Sequence, residues 1–92
     1  MQKIYHKISD PVGIHIRPAG GFVKQALQFE SEISLYCNGK KADGKRLFSI
    51  LALTAEAGDE MQVCIDGEDE LAAAKCLFDY LSQVSPKSRF TR

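Results

Sequence analysis

An α+β open-faced sandwich, four antiparallel strands covered on one face by three helices, is the fold this sequence predicts. Three observations carry it. Residues 3–8, 33–37 and 61–65 alternate apolar and polar side chains, the period of half-buried strands. Asn38-Gly39 is the strongest short hairpin signal a sequence can hold. The stretches after Pro18 and after Glu70 space their apolar residues as helices do. In chain order the elements read β-α-β-β-α-β-α, and half-buried strands joined by a tight hairpin favour an antiparallel sheet with its helices on one face.

Each element has its own justification. In KIYHKI, Ile4, His6 and Ile8 share the inward face, and Ser9-Asp10-Pro11-Val12-Gly13 then breaks the strand with turn residues. Proline suits a first helical turn, so a helix begins near Arg17-Pro18, buries Ala19, Phe22, Val23 and Ala26, and fades near Phe29. SEISLYC turns Ile33, Leu35 and Cys37 to one side, and Lys40, Lys41 and Ala42 return as a short strand ended by Asp43-Gly44. LFSILAL can be read as helix or strand. Its Leu and Ala content and single β-branched residue favour a brief helix. After Ala57-Gly58-Asp59, EMQVCID alternates as a fourth strand. Gly67-Glu68-Asp69-Glu70 opens the last helix with acids at its positive end, and Leu71, Ala74, Phe78 and Leu81 are its expected buried stripe. Residues 1–85 form one domain on this reading, and 86–92 are a flexible basic tail that frays.

Composition sets the class. The 92 residues are 45% hydrophobic and 26% charged, which suits a globular domain with one modest core. No apolar run reaches the roughly 18 residues of a membrane span, and the start lacks a signal-peptide core, so membrane insertion is not expected and a cytoplasmic location is. Cys37, Cys64 and Cys76 are odd in number and widely spaced, which indicates neither a disulfide framework nor a metal site. The formal charge is zero, yet residues 1–46 hold eight Lys and Arg against four acids, and residues 47–92 hold four against eight. An anionic ligand or an acidic protein partner is favoured near the basic half.

GIHIRPAGGF lies in that half. His15 immediately precedes the expected helix start, where the first N–H groups lack intrahelical partners and the helix dipole adds positive potential. Such a start binds phosphate well, and Ile16, Arg17 and Pro18 are its expected phosphate-binding residues. Arg17 adds a fixed, forked cation matched to phosphate oxygens. The same positive field disfavours imidazolium and should hold the His15 pKa below about 6.5, leaving a neutral ring able to act as a nucleophile. Gly20 and Gly21 each cost the helix about 1 kcal/mol relative to Ala. Either they leave room for a second protein at the histidine, or the helix tolerates them with a looser first turn.

GIHIRPAGGFVKQA resembles the active-site segment of the HPr family, histidine-containing phosphocarriers of the bacterial sugar phosphotransferase system. The likeness continues through SEI, NGK, KRLF and GEDE and spans roughly residues 2–84. It implies that His15 takes a phosphoryl group on Nδ1 from enzyme I, supported by Arg17, and passes it to the A domain of a sugar-specific enzyme II. It implies docking through Gly20, Gly21, Lys24, Leu47 and Phe48, and a carrier rather than a stand-alone enzyme, with no cofactor. Members regulated by a serine kinase carry serine after the lysine that precedes the short helix. Here that pair is Lys45-Arg46, and Ser49 stands about 300° further round a helix, so serine-kinase regulation is not expected. Position 21 holds a larger polar side chain in many members, and Leu27 and Ser49 replace lysines found in some. The alternative is a regulatory binding module of the same fold with little sugar flux. Nucleic-acid binding is not expected, because the strands carry no aromatic-rich RNA-binding motif.

Overall fold

The computed structural model describes residues 1–8, 16–84 and 88–91. The elements are β1 (Gln2–Lys7), α1 (Ile16–Ala26), β2 (Glu32–Cys37), β3 (Lys40–Asp43), α2 (Leu47–Leu51), β4 (Glu60–Asp66), α3 (Glu70–Val84) and β5 (Ser88–Thr91). The sheet runs β3-β2-β4-β1-β5, with every neighbouring pair antiparallel. Its first four strands and the three helices are the open-faced sandwich that the sequence predicts.

Alternation decides the faces. Ile4 and His6 of β1, Ile33, Leu35 and Cys37 of β2, and Met61, Val63 and Ile65 of β4 are all buried. Ala19, Phe22 and Ala26 of α1 meet them from the helical layer, and burying a ring such as that of Phe22 contributes about 2 kcal/mol. The β2–β3 turn has positive φ at both central residues, 53° at Asn38 and 77° at Gly39, the signature of a type I′ hairpin. Helix α2 is too short to persist alone and is held by buried Ile50 and, just beyond it, Leu53.

The structure departs from expectation in two elements. In α3 the buried stripe is Ala73, Ala74, Leu77 and Leu81, with Phe78 partly covered, while Leu71 is 59% exposed. At about 100° per residue, Leu71 lies about 100° around the helix from the centre of that stripe, so it faces outward. Part of the tail expected to fray also forms β5, so the sheet has a fifth strand. It pairs with β1 from His6↔Ser88 to Lys3↔Thr91 and occupies the edge that β4 leaves open. Backbone pairing at a bare edge satisfies N–H and C=O groups almost regardless of sequence, which is why composition did not reveal it. The turn expected at residues 9–13 lies outside the described residues, as do Lys87 and Arg92.

Candidate functional site at the start of helix α1

The antiparallel order gathers one set of connections at one end of the sheet. Lys7 of β1 pairs with Glu60 of β4, and Cys37 pairs with Lys40 across the β2–β3 turn. The residue that follows β1 is pinned there. Ile8 N–H donates to Asp59 O at 2.8 Å, and Gly58 N–H donates to Ile8 O at 2.7 Å. The Asp59 carboxylate in turn accepts from Glu56 N–H and from Asn38 Nδ2, both at 2.9 Å, and these bonds hold it below the usual carboxylate range. The chain therefore enters the segment bearing His15 from a fixed point.

His15 lies outside the described residues. The next residue, Ile16, is the first of α1, and Ile16, Arg17 and Pro18 make its first turn, which contains no acid. Its N–H groups and dipole therefore meet no neutralising carboxylate from their own turn. Helix α1 continues through Gly20, Gly21 and half-covered Val23 to exposed Lys24.

Helix α2 packs beside α1. Leu47 is partly buried against the core, whereas Phe48 is 80% exposed. Phe48 therefore takes no part in the core. Leu27, just beyond the C-terminal end of α1, is also 61% exposed. Arg46 precedes α2 with extended backbone, and its exposed guanidinium lies 3.6 Å from the Asp43 carboxylate. The Ser49 hydroxyl accepts from Asp43 N–H at 2.9 Å, and Lys45 Nζ donates to Phe29 O at 2.6 Å, so both side chains tie the short helix to its surroundings.

The two glycines differ. A Cβ on Gly20 would meet nothing within 4 Å, whereas one on Gly21 would overlap the Tyr80 hydroxyl oxygen. The space at Gly21 belongs to a ring from α3. Tyr80 escaped the sequence reading because its contact is 59 positions away along the chain, and only the antiparallel register of the two helices reveals it.

The chain is similar to known phosphocarriers. The PTS-HPr family model, described as the PTS HPr component phosphorylation site, matches residues 3–83. Phosphocarrier protein HPr of Buchnera aphidicola is 45% identical over 71 residues, 77% of this chain and 84% of that one. The same-named protein of Borreliella burgdorferi is 41% identical over 69 residues, covering 75% of this chain and 80% of its own. Among solved structures, a mycoplasma histidine-containing phosphocarrier protein superposes with a TM-score of 0.86 at 29% identity, covering 89% of this chain and 93% of its own. A small α+β protein with the fold of the histidine-containing phosphocarriers is the class that fold and sequence define. The chain belongs to the PTS-HPr family, whose members are phosphocarriers of the phosphotransferase system. No described helix is long and apolar enough to cross a membrane.

Proposed function

We propose that this chain is a cytoplasmic phosphoryl carrier, charged on His15 by phosphorylated enzyme I and discharged to the A domain of a sugar-specific enzyme II. The observation that carries the reading is positional. Within a match to the family of phosphorylation-site proteins, His15 directly precedes a helix whose first turn has an arginine and no acid.

The chemistry follows from that position. Nδ1 of the neutral imidazole donates its lone pair to the phosphorus of the donor. The new N–P bond forms as the bond between phosphorus and the donor breaks, and the donor's leaving nitrogen keeps that electron pair. The α1 amides and the Arg17 guanidinium stabilise the transferred oxygens, which carry more negative charge than the ring they join. Charge stabilisation is moderate by design of a carrier: the group must leave again. Gly20, Gly21, Lys24, Leu47 and Phe48 form the docking surface on this reading. The exposed Phe48 ring gives it an apolar centre suited to short-lived complexes. Arg46 in place of the regulatory serine removes the acceptor for a serine kinase.

Enzyme I and phosphoenolpyruvate, incubated with the chain, should raise its mass by one phosphoryl group, and His15→Ala should show no shift. Phosphate remaining on the His15→Ala protein would defeat the assignment.

A further inference from the structure

Helices α1 and α3 pack against each other with a register that two contacts define. Cys76 Sγ lies 3.3 Å from Gln25 Oε1. Four residues earlier on α1 and four later on α3, the backbone at Gly21 meets Tyr80: an added Cβ would overlap the hydroxyl oxygen and lie 2.7 and 3.0 Å from Cζ and Cε1. The helices are therefore antiparallel along this seam, and one further turn sets Arg17 level with Val84. Tyr80 stands one helical turn from the end of α1 that follows His15.

Position 21 also belongs to the face of α1 that carries residues 17, 20 and 24, since residues three and four apart are neighbours on a helix. That is the docking face of the proposed carrier. With glycine at both 20 and 21, the face has no side chain of its own between Arg17 and Lys24. The half-buried Tyr80 ring fills the second gap and leaves the first open.

We infer that Tyr80 is a specificity-determining residue of the docking surface, supplying from α3 the side chain that α1 lacks at position 21. The inference rests on the phosphocarrier reading and concerns the acidic protein surface that delivers the phosphoryl group. Charge argues for that occupant: α1 carries Arg17 and Lys24 and no acid, and Lys45 and Arg46 precede α2 beside it. The exposed Phe48 adds apolar area on the neighbouring helix. A tyrosine suits such a surface, because its rigid ring offers contact area at low entropic cost.

The test is the steady-state rate of phosphoryl transfer from enzyme I to the full chain, as a function of chain concentration, with Tm measured for each variant. Tyr80→Ala should raise KM about tenfold and change kcat less than about twofold, as expected for a contact made in docking and not in the transfer step. Gly21→Ala should raise KM similarly, because its Cβ must push the ring out of its seat. The double variant should be no worse than either single one, since both remove the same contact. A ring that only supports the fold would lower Tm and leave KM at the parent's value, which would overturn the inference; additive losses in the double variant would do the same. Should Tyr80→Ala unfold at the assay temperature, Gly21→Ala carries the test alone. A parent chain that enzyme I does not phosphorylate would sink the carrier reading together with this inference, whereas a phosphorylated parent with an unmoved Tyr80→Ala KM sinks this inference alone.

Discussion

Thr54 has φ of 49°, in the left-handed region that a β-branched residue enters only with strain. Buried Leu53 and Ala55 fix the chain on either side, so the backbone has no easy escape. The side chain compensates in part: its hydroxyl donates to Leu53 O at 2.7 Å and accepts from Lys40 Nζ at 3.2 Å. Glycine adopts this φ without strain, so Thr54→Gly should raise the stability measured by urea unfolding by about 1 kcal/mol. An equal or lower stability would mean that the hydroxyl bonds outweigh the backbone strain. Single residues were legible in the sequence where their neighbours are periodic. His6 was placed inward by strand alternation and is 4% exposed, and its burial disfavours the charged ring. Thr54 gave no signal, because nothing in its identity announces a left-handed backbone. At Gly21 the sequence leaves two readings, room for a partner or a tolerated glycine, and neither reveals Tyr80, because that ring comes from the last helix.

The start of α3 shows how an element is anchored. Acids there complement the helix dipole, as the sequence suggests, but the structure uses them across the fold as well. The Asp69 carboxylate accepts from Glu30 N–H at 2.8 Å, from Ser31 N–H at 2.9 Å and from the Ser31 hydroxyl, which locks α3 to the entry of β2. Glu70 accepts from the N-terminal ammonium at 2.8 Å and from Gln2 Nε2 at 3.2 Å, which ties the same turn to β1. The bonds from Ser31 and Glu30 hold the Asp69 pKa below its ordinary value near 3.8. A folded pKa below the unfolded one contributes stability above the unfolded value, and that contribution disappears as pH falls through the folded one. Asp69→Asn should therefore have a lower urea midpoint than the parent at pH 7, and the gap should narrow as pH falls below about 3.8. A gap that stays constant with pH would show that the charge of Asp69 is not what holds the helix. Elements with strong periodicity were legible: β1, β2, β4 and α1 fall where alternation and Pro18 place them. The inner face of α3 was not fully legible, because a helix this rich in Ala and Leu has several apolar sides and the sheet selects one. Strand β5 was not legible at all, since its four residues gain their place from the open edge of β1 and not from a pattern of their own.

At the scale of the whole molecule, topology brings the pinned end of β1, the Asn38-Gly39 turn, the loop through Asp59 and the start of α1 to one end of the sheet. The uneven charge of the sequence agrees with this, since the basic half contains α1 and the approach to α2. Composition and motif were enough to suggest an anion-handling surface. They could not reveal how that surface is built, because the packing of α3 against α1 depends on residues from opposite ends of the chain. A carrier must satisfy two opposed demands: bind the phosphoryl group well enough to hold it, and weakly enough to release it to the next protein. The most direct test follows the second demand. The chain, charged with phosphoenolpyruvate and enzyme I and then freed of both, is mixed with the A domain of a sugar-specific enzyme II, and both masses are followed. The account predicts that the chain loses one phosphoryl group as the A domain gains one. Phosphate that stays on the chain, or that appears only as inorganic phosphate at the rate of spontaneous hydrolysis, would contradict it.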